Sequence, residues 1–84
     1  MSQNEKLFMS VLSGTKDNGI LFVDLCKILD ISGFSSRIKG SHHIYYKDGI
    51  DEIINIQPKG TKAKDYQVKQ VRNMILKYRL GGKI

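Results

Sequence analysis

At 84 residues the chain suffices for one small domain with its own core, and is too short for a second lobe or a deep cofactor cleft. Hydrophobic residues make up 40% of it and no apolar run approaches the roughly 20 residues of a membrane span. The opening Met1-Ser2-Gln3-Asn4-Glu5 lacks the regions of a signal peptide, so a soluble cytoplasmic protein is expected. The net charge of +6 is unevenly placed: residues 1–52 carry six Lys/Arg against seven Asp/Glu, whereas residues 53–84 carry eight Lys/Arg against one Asp. Such clustering suits a phosphate backbone, an acidic protein partner, or simply a solvated basic helix face.

Ser2 followed by Glu5 has the spacing of a capping box, and Leu7, Phe8, Val11 and Leu12 recur at helical period, which predicts a helix over about Gln3 to Ser13. A turn cluster from Gly14 to Gly19 follows. Leu21, Phe22, Leu25, Cys26, Ile28 and Leu29 then define a second helix, from about Phe22 to Ile31, with Gly33 as its terminator and no good capping side chain at its start. Cys26 is the one cysteine, so an internal disulfide and a cysteine-based zinc site are excluded. It reads as a small core hydrophobe.

From Phe34 the period changes to alternation. Phe34, Ser36 and Ile38 share one face and Ser35, Arg37 and Lys39 the other, and Gly40-Ser41 suits a two-residue type II′ turn with Gly first. In that register Lys39 opposes His42 and Arg37 opposes Ile44. His42 thus joins the cations, and His43 joins Ile38 on the more apolar side. The second strand runs to Tyr46 or Lys47, Asp48-Gly49 marks another hairpin, and Ile53 to Ile56 form a third strand whose covered face its pattern does not decide. The segment from Pro58 to Lys64 reads as a lysine-bearing loop. Asp65 is the expected N-cap of a last helix, with Val68, Val71, Ile75 and Tyr78 on one face and Gly81-Gly82 at its end. The order predicts a single α+β domain with helices stacked on one face of a three-stranded antiparallel sheet.

Adjacent histidines in a strand point to opposite faces, so His42 and His43 do not readily share a metal ion, and no Asp or Glu lies nearby in sequence to complete a ligand set or a triad. No glycine-rich turn leads from a strand into a helix, which argues against a nucleotide cofactor. The His42 imidazole beside Arg37, Lys39 and the lysine loop has the makings of a proton-transfer site on a phosphodiester. RNA supplies its own nucleophile, the 2′-hydroxyl, so no metal is needed. The same pattern also fits two strand histidines satisfied by local hydrogen bonds. Tyr45 and Tyr66 read as structural, whereas Tyr46 shares a face with His42 and is a candidate for base stacking.

The run Gly33-Phe34-Ser35-Ser36-Arg37-Ile38-Lys39-Gly40-Ser41-His42-His43-Ile44-Tyr45-Tyr46 resembles the signature of the HicA family of toxins from toxin–antitoxin systems. The pattern is a Gly-Phe at a helix end, a basic strand, Gly-Ser-His or Gly-Gly-His, and an aromatic strand. With the third strand, Lys59-Gly60-Thr61 and the final helix, the resemblance spans roughly residues 20–80. It implies a double-stranded-RNA-binding-domain-like fold, an mRNA-cleaving endoribonuclease activity without metal or cofactor, a catalytic histidine at His42 and a HicB-like antitoxin as neutralising partner. Two departures are evident. Ile56-Gln57-Pro58 is not followed by the histidine that many members carry, so any role for a second histidine falls to His43, and residues 1–19 form an N-terminal helical extension to the core at 20–80.

The leading expectation is therefore a toxin that cleaves mRNA, with His42 as general acid or base and Arg37 and Lys39 on the scissile phosphate. Ser41 and Tyr46 complete the contacts around it, and Lys59, Lys62, Lys64, Lys69 and Arg72 guide the RNA backbone. A noncatalytic RNA-binding module of the same fold is the alternative, and a domain whose basic helix meets an acidic protein is a third reading.

Overall fold

The computed structural model describes residues 3–80. Its elements are α1 (Gln3–Ser13), a 3-10 turn (Asp17–Gly19), α2 (Phe22–Ile31), β1 (Ser35–Lys39), β2 (His42–Lys47), β3 (Ile50–Ile56), β4 (Pro58–Lys59), β5 (Lys62–Ala63) and α3 (Asp65–Tyr78). β1, β2 and β3 form an antiparallel sheet in that order, and β4 pairs with β5 as a separate two-stranded hairpin. The domain is α+β, as the change of period along the chain predicts. Ser2, the expected capping residue of α1, and Gly81-Gly82, the expected end of α3, lie outside the described residues.

The core gathers the apolar stripes of all three helices against one face of the sheet. Phe8 and Val11 from α1, Leu25, Ile28 and Leu29 from α2, and Val68, Val71 and Ile75 from α3 are buried with Tyr45 of β2 and Ile54 and Ile56 of β3. Each large aliphatic residue fully buried in this way contributes about 1.5–3 kcal/mol. The strands contribute alternate residues only, so the burial of Ile54 and Ile56 leaves Ile53 outside.

α2 ends in a Schellman motif: the Phe34 N–H donates to Leu29 O and the Gly33 N–H to Asp30 O, both at 3.1 Å. Gly33 sits at φ +93°, and a Cβ there would lie 2.8 Å from Lys47 Nζ. At its start α2 has no capping side chain. Instead the Phe22 N–H donates to Thr61 O at 3.0 Å, and Ala63 N–H donates to Ile20 O at 2.9 Å. These bonds, with a bridge between Leu21 and Lys62, turn the expected loop at 58–64 into the β4–β5 hairpin. Two-residue strands carry too little pattern to be read from sequence, and docking on α2 supplies their stability.

β3 begins at Ile50, three residues before the aliphatic run that predicts it. The pairing with β2 shifts between Tyr45 and Lys47, and Glu52 in the added segment turns toward α3, where it accepts hydrogen bonds from Lys77 Nζ at 2.8 Å and from the Tyr78 hydroxyl. Its polarity hides the strand in the sequence. α3 starts at Asp65, with Lys64 in the capping position, so Asp65 lies one residue inside its expected place and its Oδ1 accepts from the Tyr66 N–H at 2.8 Å. At the other end Arg79 adopts a left-handed conformation and its N–H donates to Ile75 O.

Gly33→Ala is expected to lower stability by about 1–2 kcal/mol in urea unfolding, because a side chain is forced into the left-handed region. The Lys77 and Tyr78 hydrogen bonds hold the Glu52 carboxyl below its ordinary range, at about 2. A depressed carboxyl pKa stabilises the fold above the unfolded value, and that contribution fades as pH falls toward the folded one. The thermal midpoints of the parent and of Glu52→Gln should therefore differ at neutral pH and converge as pH falls from about 5 to about 2. A constant gap across that range would show that the contact does not titrate.

Candidate nucleic-acid interface

β1 and β2 meet in the predicted register: Lys39 opposes His42, Ile38 opposes His43 and Arg37 opposes Ile44. The turn between them places Gly40 at φ +62°, while Ser41 keeps a negative φ, as a type II′ turn demands. The two histidines consequently part. His43 faces the helices, half-buried, with its ring edge-on to Phe22 at a centroid distance of 4.9 Å. His42 projects from the opposite, open face together with Ser35, Arg37 and Lys39 of β1, Ile44 and Tyr46 of β2, and Ile53 and Asn55 of β3.

Asn55 is the site residue that sequence reasoning missed. Its Oδ1 lies 3.1 Å from His42 Nδ1. A carboxamide oxygen only accepts, so Nδ1 carries the hydrogen and the lone pair of the neutral ring is left on Nε2. The contact is a diagonal one across β2 and β3, since Asn55 itself opposes Ile44. The available signal was a lone amide in the Ile53–Ile56 run, legible only with the β2–β3 register in hand.

The tip of the β1–β2 hairpin is tied to the body of the domain through Gln57. Its side-chain Nε2 donates to Ser41 Oγ at 3.1 Å, and its backbone N–H and C=O pair with the buried Gln67 amide of α3, both at 3.1 Å when that amide is oriented donor to acceptor. Ser41 therefore braces the turn that carries His42. Among the described residues neither Arg37 nor Lys39 has a carboxylate partner. Tyr46 lies on the same face, roughly 13 Å along the strand from His42.

The remaining expected contacts divide. Lys59 and Lys62 oppose each other directly across the β4–β5 hairpin, an arrangement of like charges that costs stability until an anion lies between or above them. With Lys64, whose Nζ stands 6.0 Å from the centre of the Tyr66 ring, they line an open pocket of about 790 Å³. This hairpin follows Gln57 directly, so it starts beside the Ser41 end of the open face. Lys69 does not join either group: it lies in a shallow pocket with Glu52, Gln70 and Lys77 on the outer side of α3.

Arg72 corrects the expectation most clearly. Its Nη1 donates to Asp17 Oδ1 at 2.8 Å and to Val11 O at 3.2 Å, and the paired side chains are only 17% and 12% exposed. The guanidinium lies over Gly14, where a Cβ would come within 3.2 Å of it. It ties α3 to the end of α1 and to the following turn, and is spent on the fold. Sequence charge alone does not distinguish a cation on the helical face turned toward α1 from one turned to solvent.

Among the described residues there is no group of three or more His, Cys, Asp or Glu side chains placed to hold a metal ion, and no helix is long and apolar enough to cross a membrane. Comparison with known proteins gives no match: no family model matches the chain, and neither a curated protein nor a solved structure does. What the open face can do is read from its own groups. It offers one exposed imidazole held through Nδ1, two cations on the adjacent strand and a second cationic patch at one end.

Arg72→Met should cost about 2–3 kcal/mol in urea unfolding, the loss of a largely desolvated charged hydrogen-bond pair. Any RNA affinity of the folded fraction should stay within about twofold of the parent. A large loss of RNA affinity without a loss of stability would return Arg72 to the RNA-binding set.

Proposed function

We propose that the chain is a metal-independent endoribonuclease of the toxin type, acting on single-stranded mRNA with His42 as the general base. The observation that carries the reading is the setting of His42: its Nδ1 is held by Asn55 Oδ1, which orients the exposed ring and leaves Nε2 without a partner among the described residues, on an open sheet face shared with Arg37 and Lys39. In the proposed reaction Nε2 takes the proton of a ribose 2′-hydroxyl and the 2′ oxygen forms a bond to phosphorus. The P–O5′ bond breaks, solvent protonates the leaving oxygen, and the products end in a 2′,3′-cyclic phosphate and a 5′-hydroxyl. Arg37 and Lys39 stabilise the negative charge that grows on the phosphoryl oxygens. Tyr46 stacks a base, Ser41 holds the turn, and Lys59, Lys62 and Lys64 track the backbone beyond the scissile bond.

The order of helix, three-stranded antiparallel sheet and helix from α2 to α3, interrupted by the β4–β5 hairpin before α3 and with one sheet face covered, supports the double-stranded-RNA-binding-domain-like fold that the HicA resemblance implies. On the same reading the partner is a HicB-like antitoxin that covers the open face. A noncatalytic RNA-binding module is the second reading. The opposed Lys59 and Lys62 with Lys64 and Tyr66 favour it, because they form a phosphate-binding patch that owes nothing to His42.

The two readings separate on purified protein incubated with single-stranded RNA and EDTA. The nuclease reading expects fragments with cyclic phosphate ends, no cutting when the target nucleotide lacks its 2′-hydroxyl, and a rate for folded His42→Ala at least roughly 100-fold below the parent. If His42→Ala cleaves as fast as the parent, or if RNA is bound in a salt-dependent manner and never cut, the catalytic assignment falls.

A further inference from the structure

The helix side of the sheet is not wholly covered. Between α2 and the β1 side of the sheet runs a groove of about 1050 Å³, bordered by Pro58, Gly60 and Thr61 of the β4–β5 hairpin. Val23, Cys26, Lys27 and Asp30 enter it from α2, at the spacing of a single helix face, and Ile38, His43 and Tyr45 line it from the sheet. Burial pushes both the Tyr45 phenol and the Cys26 thiol upward, so both stay uncharged at neutral pH. Val23 and Ile38 remain 67% and 66% exposed. Two large aliphatic side chains are thus left in water along one groove.

β1 is also an edge. Among the described residues it pairs with β2 alone. In an antiparallel hairpin closed by a two-residue turn, Lys39 and His42 form a hydrogen-bonded pair, and such pairs recur at every second position. The backbone groups of Ser35, Arg37 and Lys39 are therefore engaged with β2, and those of Ser36 and Ile38 point to the vacant side. These two residues also line the groove. One strand thus presents outward hydrogen-bonding groups, an apolar trough on one face, and the side chains of Arg37 and Lys39 on the other.

We propose that β1 is a docking edge for an extended segment of another protein in which apolar and acidic residues alternate. The segment adds a fourth strand, bonds the Ser36 and Ile38 backbone, seats its apolar side chains in the groove beside Val23 and Ile38, and sets its carboxylates against Arg37 and Lys39. A second copy of this chain fits less well, because β1 paired with β1 about Arg37 or Ile38 sets Arg37 opposite Arg37 or Lys39, and like charges directly opposed are destabilising. Edge cations by themselves are a common guard against such self-pairing. A guard has no need of the exposed Val23 and Ile38 or of the groove between them. The inference needs no chemistry at His42, although it draws on the same Arg37 and Lys39 that the ribonuclease reading places on the scissile phosphate.

The test is a titration of the isotope-labelled full chain with a blocked six-residue peptide alternating valine and glutamate. Controls are the same composition in two blocks and an alternating valine–lysine peptide. Binding should saturate below about 1 mM, with amide exchange of Ser36 and Ile38 slowed roughly tenfold while the amides of Arg37 and Lys39, already in the ladder, barely change. Both control peptides should bind at least roughly tenfold more weakly. Ile38→Pro removes an outward N–H and no ladder bond, so it should abolish binding. Should that variant not fold, Arg37→Glu combined with Lys39→Glu should transfer the preference from the glutamate peptide to the lysine peptide. The proposal is overturned by absence of saturable binding, by binding that leaves Ser36 and Ile38 unprotected, or by a preference that charge reversal does not move.

Discussion

The open face depends on the position of β2 between its two neighbours. Tyr45 must enter the core beside Ile54 and Ile56, and since successive side chains of a strand point to opposite faces, His42, Ile44 and Tyr46 are then obliged to point away. A slip of one residue would turn His42, Ile44 and Tyr46 toward the helices and expel His43 and Tyr45. The apolar burial that stabilises the sheet is thus the same force that presents the imidazole. The Gly40-Ser41 turn and the β1 pairing hold that register at one end, and the Glu52 contacts to α3 anchor β3 near the other.

Charge is apportioned by the fold in two ways. Arg72 and Lys77 are paired with Asp17 and Glu52, and both pairs join α3 to another part of the domain. Arg37, Lys39, Lys59 and Lys62 have no such partner among the described residues, and Lys59 and Lys62 face each other across their hairpin. Unpaired cations on strands stay available for an anionic ligand, at a cost in stability where two of them directly oppose each other, as Lys59 and Lys62 do. The net charge is thus divided between pairs that join parts of the domain and cations left facing solvent.

Hydrogen bonds at the hairpin tip serve the same end at a finer scale. Ser41, Gln57 and Gln67 form a chain from the β1–β2 turn to α3, and Asn55 holds the His42 ring from the neighbouring strand. An exposed imidazole on a free hairpin would sample several rotamers, whereas one tied through Nδ1 presents Nε2 in a restricted direction. The groove on the other side of β1 draws on the same pleat, since the residues that face it alternate with Arg37 and Lys39.

Local pattern alone determined the bounds of α1 and α2, the Gly33 terminus, the Gly40-Ser41 turn and the separation of His42 from His43. Each follows from side-chain periodicity or from the backbone freedom of one glycine, properties that act within a few residues of chain. The early start of β3, the β4–β5 hairpin, the ion pair of Arg72 and the bond from Asn55 to His42 were decided only by the tertiary structure. In each of these the stabilising partner is remote in sequence: α3 for Glu52, the start of α2 for the hairpin, Asp17 and Val11 for Arg72. A residue's own type and spacing do not encode the element that will pack against it, so local reasoning finds which side chain projects and the assembled domain decides what holds it there.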